Sequence, residues 1–196
     1  MPGRLQQQKE VKKQSLLTAA NELFLEKGVS KTSIDDIVKR AQVAKGTFYL
    51  YFKDKSELQQ ALVLRISTRV LNEAYAAVHG RGTGDFIEDL LLFIDHIIEQ
   101  FKRDKLTLRL LERNFSWPAV ARELSQGTDP LWQNLMKMLQ ASPLAAHRTE
   151  DELFKLVFII VEMCGSTCYS SIIEHRPDTI DNMKPVLYDI IRRALA

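Results

Sequence analysis

Residues 43–58 read VAKGTFYLYFKDKSEL, and this short stretch decides the fold and the function that the sequence predicts. It gathers four aromatic side chains into five positions and flanks them with three lysines. The aromatic residues are Phe48, Tyr49, Tyr51 and Phe52, and the lysines are Lys45, Lys53 and Lys55. A soluble chain that concentrates rings and positive charge in this way has a surface suited to nucleic acid.

The charge distribution along the chain supports the same interpretation. The net charge of the 196 residues is only +2. Residues 1–56 hold 11 Lys/Arg and 6 Asp/Glu, whereas residues 57–196 hold 16 and 19. A basic N-terminal quarter joined to a mildly acidic remainder indicates a nucleic-acid-binding head on a body with another purpose.

The composition excludes several other classes of protein. Hydrophobic residues make up 45% of the chain, and its 6 Pro and 8 Gly are too few for a disordered or turn-rich all-β protein. No run of eighteen apolar residues occurs, so we expect no membrane span. The N-terminal MPGRLQQQKEVKK lacks an apolar signal core, and Cys164 and Cys168 stand four apart in a helical pattern. We therefore expect a cytoplasmic protein with free thiols.

Hydrophobic spacing of three and four residues predicts an all-α fold. Thr32 and Ser33 offer N-caps for the second helix, with Asp35 and Asp36 three residues after each as in a capping box. We place a nucleic-acid-binding domain at 1–54 and a second helical domain, with another purpose, at 55–196. The predicted helices are 9–27, 34–41, 45–51, 55–79, 85–102, 104–115, 118–126, 129–140, 150–175 and 179–195.

The second and third helices, both short and separated by a tight turn, predict a helix-turn-helix unit. The front of its recognition helix carries Lys45, Gly46 and Thr47. Lys45 can donate to a guanine edge or a phosphate, and Thr47 can bind phosphate or pack on a thymine methyl group. Gly46 allows the backbone to approach the duplex closely.

Helical spacing divides the aromatic residues of this segment between the core and the surface. Phe48 and Phe52 stand four apart, and we expect both to pack inward on Ile37. Tyr49 and Tyr51 lie on other faces, where a ring can lie along the groove. Lys55 stands at the predicted N-terminus of the next helix, where free N–H groups and an ammonium suit phosphate.

The run TSIDDIVKRAQVAKGTFYLYFKDKSEL resembles the DNA-binding signature of the TetR-type (tetracycline-repressor-like) transcriptional regulators. The resemblance covers residues 9–62. Three positions depart from the family pattern: Gln42 replaces the usual Gly of the turn, Ala44 the common Ser, and Tyr51 the common His. A left-handed backbone at Gln42 would carry strain.

The resemblance assigns expected DNA contacts to individual residues of this chain. The positions that match phosphate-binding residues of the family are Thr32, Ser33, Tyr51 and Lys55. The positions that match residues near the bases are Lys45, Gly46, Thr47 and Tyr49.

The C-terminal helices favour dimer formation. Residues 153–173 are apolar nearly all round, and residues 179–195 carry an apolar stripe, so both must be covered by other protein. The resemblance implies that two such helices from each subunit form a four-helix homodimer interface. Burial of both helices inside one monomer is the alternative.

The middle helices resemble the region of the family that binds a small-molecule effector, whose identity the sequence leaves unknown. We predict that the ligand-binding residues include Phe93, Phe158, Glu162 and Tyr169. Glu162 interrupts a helix expected to be buried, so its carboxylate needs a partner such as a ligand cation or Arg109. The alternative is that Glu162 reaches solvent or the rim of a dimer interface.

We expect no cofactor, no metal site and no catalytic residues. The cysteine pair lacks a histidine at ligand spacing, and no phosphate loop or nucleophile motif occurs. The sequence therefore favours a ligand-responsive repressor that binds a palindromic, double-stranded DNA operator as a homodimer. An activator of the same fold, a helical interaction module that no longer binds DNA, and a helical enzyme are the alternatives.

Overall fold

A computed structural model of the chain describes residues 4–78, 83–112, 115–126 and 130–195. Helices fill these ranges, and no strand occurs within them, so the predicted all-α fold is confirmed. The α-helices are α1 (Arg4–Lys27), α2 (Ile34–Arg40), α3 (Lys45–Tyr49), α4 (Lys55–Val78), α5 (Phe86–Arg103), α6 (Lys105–Glu112), α7 (Trp117–Gln126), α8 (Pro130–Ala141), α9 (Glu150–Tyr169) and α10 (Ile180–Leu195).

Two irregular helical segments depart from the sequence-based expectation. Pro143–His147 forms a 3₁₀ helix within a segment that the sequence indicates as a turn. Ser170–Glu174 continues α9 as a π-helix, and His175 then adopts a left-handed backbone with φ of 58°. The π-helical segment shares the hydrophobic spacing of α9, which is why periodicity does not distinguish it from an α-helix.

The chain divides into two compact units, Met1–Arg65 and Ile66–Ala196. Helix α4 contributes residues to both. The sequence-based division at residues 1–54 and 55–196 stays a prediction. We call the first unit the head and the second unit the body.

The head is built around buried side chains of α1, α2 and the segment that follows α3. Ile37 and Phe48 are completely buried, and Phe52 is nearly so. The ring centroids of Phe48 and Phe52 lie 5.8 Å apart. The predicted inward packing of both phenylalanines is thus confirmed. Burial of each such side chain stabilises the fold by about 1.5–3 kcal/mol.

The start of α2 and the turn after it follow from local chemistry. Ser33 caps α2: its hydroxyl accepts from the Asp36 N–H at 3.1 Å, while Asp36 Oδ2 accepts from the Ser33 N–H at 2.9 Å. The capping box predicted for this pair is confirmed. Gln42, in the turn to α3, has φ of 57°, so the left-handed conformation considered for this position is present. A side chain there costs about 1–2 kcal/mol.

The body is held together by packing of α5 against α6, α9 and α10. The buried face of α5 includes Leu91, Ile94 and Ile98. A polar cluster joins its other side to α10, where Lys184 Nζ lies 2.7 Å from Asp95 Oδ1 and also contacts Glu99. The arrangement fixes the register between α5 and α10.

The helical stretch Glu150–Glu174 is the one described segment whose length and composition suit a membrane crossing. Its most apolar window has a mean hydropathy of 1.8, and 22% of that window is buried inside the chain. A single helix of this kind is weak evidence for a span, because core and interface helices have the same composition. The sequence predicted no membrane span, and the structure contains one apolar helix that is largely uncovered in the single chain.

Candidate nucleic-acid interface and ligand cavity

Helix α3 presents a compact outer surface made of four exposed residues. They are Lys45, Gly46, Tyr49 and Leu50, the last being the C-cap residue of the helix. Tyr49 is 54% exposed and Leu50 is 79% exposed. The position of a Cβ atom built on Gly46 has no neighbour within 4 Å, so the surface is open there. Thr47 and Tyr51 are half-buried beside it.

The orientation of α3 depends on packing rather than on its own hydrogen bonds. The helix has only five residues, and its N-cap, Ala44, makes no side-chain cap. Isolated helices of this length are unstable in water. Phe48 holds α3 against the core of the head. The Tyr49 ring packs edge-on against the Phe48 ring, with centroids 5.3 Å apart. The buried phenylalanine therefore positions the exposed residues.

Lys45, which the sequence places near bases, forms an ion pair with Asp35 at 2.8 Å. The hydrogen bond to Asp35 raises the pKa of Lys45. Both side chains are exposed, so water screens the pair and exchange of Asp35 for a phosphate costs little. The predicted DNA contact of Lys45 stays a prediction.

Thr32 and Ser33 have different environments, although the sequence treats them alike. Thr32 is 1% exposed, and its hydroxyl donates to the Gly28 carbonyl at 2.8 Å, which ties it to the end of α1. The prediction that Thr32 caps α2 is wrong, because Ser33 holds that position. Ser33 is exposed at the positive end of α2, where an anion is favoured. Its side chain is the more accessible of the two for phosphate.

Lys55 forms hydrogen bonds within the head. Its ammonium donates to the carbonyls of Val29 and Thr32, both at 2.7 Å, and so joins the first residue of α4 to the loop between α1 and α2. The sequence indicated a phosphate site at this position. An ammonium has three donors, so one N–H is left for a phosphate after the two carbonyl contacts.

Some of the remaining charged residues of the head form ion pairs, and others do not. Lys27 lies 2.8 Å from Asp36, and Arg40 bridges Glu22 and Glu26 at 3.0 and 2.9 Å. The hydrogen bond from Lys27 holds the pKa of Asp36 well below its ordinary value. Five exposed lysines of the head form no ion pair within the described ranges, and they supply uncompensated positive charge: Lys9, Lys12, Lys31, Lys39 and Lys53.

Leu50 is the exposed residue of this surface that the sequence analysis did not select. It stands four residues after Gly46, so helical spacing puts it on the same outer face. That spacing was available in the sequence. The sequence analysis selected the aromatic and basic residues of this segment, and a leucine among them is typical of a core position.

The body encloses a cavity of about 660 Å³ whose lining is mostly apolar. Volumes of this order are typical of small-molecule sites. The structure brings three of the four predicted ligand-binding residues to it, namely Phe93, Glu162 and Tyr169. Phe158 lies outside the lining, on an exposed face of α9, although it stands one helical turn before Glu162.

Glu162 departs from its expected environment. The sequence indicated a buried carboxylate that needs a partner, whereas Glu162 is exposed at the cavity and makes no ion pair with Arg109. That expectation of burial is wrong for the single chain, because α9 is only partly covered by the rest of the body. Contact with solvent satisfies the carboxylate.

Cys164 and Cys168 also line the cavity, as free thiols. Burial raises the pKa of each thiol to about 12. A thiol with such a pKa is a poor nucleophile and a poor metal ligand. Within the described ranges, no group of three His, Cys, Asp or Glu side chains is placed to hold a metal ion.

A capped helix, a tight turn and a short exposed helix held by a buried aromatic residue define the class: this is a helix-turn-helix DNA-binding protein. Residues 16–62 match the family described as "Bacterial regulatory proteins, tetR family". The head of the chain therefore matches the DNA-binding domain of this family, as the sequence resemblance predicted.

Individual relatives agree with this assignment. YvdT of Bacillus subtilis (strain 168), an uncharacterized HTH-type transcriptional regulator, is 37% identical over 97 residues, which are 50% of this chain and 50% of that protein. The match thus spans half the length of that relative. FasR of Mycolicibacterium smegmatis, an HTH-type transcriptional activator, is 28% identical over 150 residues, which are 75% of this chain and 68% of that one.

A solved structure shows that the likeness of fold extends to the body. FadR from Bacillus subtilis, in complex with stearoyl-CoA, superposes with a TM-score of 0.60 at 16% sequence identity. The superposition covers 93% of this chain and 99% of that chain. The fold of the whole regulator is therefore shared, whereas its ligand is not established by so low an identity.

Proposed function

We propose that this protein is a ligand-responsive transcriptional repressor of the cytoplasm that binds a palindromic DNA operator as a homodimer. The exposed surface of α3 is the single observation that carries the proposal. Its lysine, glycine and tyrosine stand where a recognition helix meets base edges. The contacts that we propose are those assigned from the sequence, with Ser33, Lys45, Gly46 and Tyr49 as the most accessible.

The proposed roles of the other residues differ in how directly the side chain can reach DNA. Thr47 and Tyr51 are half-buried beside α3, where each hydroxyl can still donate to a phosphate. Lys55 has one donor left for phosphate after its two carbonyl contacts. Thr32 is buried, so we propose that it supports the interface through the end of α1.

Dimer formation is supported by apolar side chains that the single chain leaves uncovered. Phe158 and Ile159 of α9 are exposed, as are Val186 and Ile190 of α10, and α10 packs beside α9. Adjacent apolar helices of this kind suit a two-fold interface in which each subunit supplies the same pair. Two heads can then contact half-sites about 34 Å apart.

Effector binding is supported by the cavity of the body. A small molecule that binds one arrangement of the dimer more tightly than the other shifts the population between them. We propose that the bound form holds the heads away from the operator spacing and releases DNA. The activator FasR is the reason to test the sign of the effect separately, with a promoter fused to a reporter.

Selection of bound duplexes from a random pool tests the proposal. We expect recovered sequences with two inverted half-sites, separated by about one helical turn or a multiple of it. A variant in which Lys45 and Tyr49 are both replaced by Ala should recover no sequence above background. Recovery of no duplex at low ionic strength by the unaltered protein would refute the proposal.

A further inference from the structure

The charged side chains in the described part of the cavity lining all have the same sign. Asp89, Glu162 and Glu174 border it, and the described lining contains no Lys, Arg or His. Asp89 is half-buried, whereas Glu162 and Glu174 are exposed at the edge of the cavity, so water weakens the effect of these two charges on a bound molecule without removing it. Within the described lining, a ligand therefore meets carboxylates and no Lys, Arg or His side chain.

The surrounding contacts leave this negative charge uncompensated. Asp89 accepts hydrogen bonds from the N–H and hydroxyl of Thr83, at 2.6 and 2.9 Å, and both donors are neutral. Glu162 and Glu174 form no hydrogen bond or ion pair within the described ranges. Lys184 of α10, whose charge acts on the lining residue Cys168, is bound by the carboxylates of Asp95 and Glu99.

Aromatic rings give the cavity a second means of binding a cation. Tyr75, Phe93 and Tyr169 lie on its wall, and the face of an aromatic ring attracts a positive charge that has lost part of its water. Weakly hydrated cations with apolar substituents satisfy both the rings and the carboxylates. An anionic amphiphile would gain the apolar contacts and meet electrostatic repulsion.

We infer that the effector of this protein is a hydrophobic cation, that is, a largely apolar molecule carrying a delocalised or shielded positive charge. The inference rests on the proposed role of the cavity as the effector site. It adds the chemical class of the ligand, which the family assignment leaves open.

Two ions of the same shape and opposite charge test the inference directly. Tetraphenylphosphonium and tetraphenylborate present the same four phenyl rings around a positive and a negative centre. Titration calorimetry of the full chain, without DNA, should give tighter binding of the phosphonium by about tenfold or more. Equal binding, tighter binding of the borate, or binding of neither ion at millimolar concentration would overturn the inference.

Charge-neutral variants identify the groups responsible. Glu162→Gln combined with Glu174→Gln should weaken phosphonium binding by about fivefold and leave borate binding unchanged or stronger. Glu150→Gln is the matched control, because Glu150 is an exposed carboxylate on α9 outside the cavity lining. It should leave both affinities unchanged. Equal loss in the control and the double variant would contradict the assignment to the cavity.

The outcome is independent of the test for DNA binding. If duplex selection succeeds and the borate binds more tightly, the regulator proposal stands and the cation inference fails. If selection fails while the charge preference is observed, the regulator proposal fails and the cavity retains its preference. Thermal unfolding of each variant confirms that the body is folded in both measurements.

Discussion

The head and the body differ in the chemistry of their exposed surfaces. In the head, carboxylates bind Lys27, Arg40 and Lys45, and the exposed helix α3 displays a mixed polar and aromatic surface. In the body, apolar residues such as Ile159 and Ile190 remain exposed and an apolar cavity stays open. The head exposes single apolar side chains such as Leu50 among charged groups, whereas the body exposes apolar side chains on two adjacent helices, which suits another copy.

The comparison indicates which part of the molecule depends on association. A polar surface is stable in water without a partner. Its binding to a charged partner such as DNA weakens as the salt concentration rises. An exposed apolar helix is unfavourable in water and gains free energy when covered. Changes in the head should therefore alter DNA affinity or local stability, and changes in the body should alter assembly.

Ile159→Glu should have the largest effect. A carboxylate placed on the exposed face of α9, where Ile159 is 59% exposed, would have to lose water in the proposed interface. We expect a monomer by analytical ultracentrifugation and a loss of operator affinity on the order of 100-fold, because only one half-site is then contacted. Leu106→Glu is the matched control, an exposed leucine of α6 outside α9 and α10. A dimer that survives Ile159→Glu would remove α9 from the interface.

Lys55→Ala should act on the head in two ways. Loss of the contacts to the Val29 and Thr32 carbonyls should lower the free energy of unfolding by about 2 kcal/mol. If the third donor binds phosphate, affinity should also fall for all DNA sequences, and the slope of log affinity against log salt should flatten by about one. Lys53→Ala, which removes a lysine without those carbonyl contacts, is the control. An unchanged slope with lowered stability would assign Lys55 to the fold alone.

Gln42→Gly should stabilise the head. The residue has φ of 57°, which glycine adopts without the steric cost that a Cβ atom brings. After the greater entropy of glycine in the unfolded chain is allowed for, we expect a gain of about 0.5–1 kcal/mol in urea unfolding. Gln42→Ala keeps the Cβ atom and should bring no gain. Equal stability of the glycine and alanine variants would show that the turn carries no strain.

Asp36→Asn should have the smallest effect, and one that depends on pH. The pKa of Asp36 is held below its ordinary value of 3.8, chiefly by the hydrogen bond from Lys27. A carboxyl of this kind stabilises the fold above its unfolded-state pKa, and the contribution is lost as the pH falls toward the folded-state pKa. The stability difference between the variant and the unaltered protein should be constant above pH 5 and shrink below about pH 4. Lys27→Met should remove most of that pH dependence.

Local patterns in the sequence predicted most of the fold. Hydrophobic spacing placed each helix within a few residues of its observed bounds, and Ser33 with Asp36 marked the start of α2. The inward positions of Phe48 and Phe52 followed from their four-residue spacing. These features depend on neighbours within one or two helical turns, which a single sequence records directly.

Features that depend on distant neighbours could not be predicted in this way. Lys55 contacts carbonyls 26 and 23 residues earlier in the chain, and nothing local distinguishes it from an exposed lysine. Burial of Thr32 depends on how α1 meets α2. Likewise, Phe158 and Glu162 share a helical face by spacing, yet only Glu162 borders the cavity, because the neighbouring helices decide where the cavity ends.

The rate at which the thiols of Cys164 and Cys168 react can report motions of the body. Cys168 is buried and Cys164 is partly exposed, and burial raises the pKa of the Cys168 thiol to about 12, so alkylating reagents should modify Cys168 much more slowly than Cys164. The rate of labelling at Cys168 then reports how often the helices around the cavity separate. A molecule that fills the cavity should slow that rate in proportion to its occupancy, which allows compounds to be ranked by mass spectrometry before any operator is known.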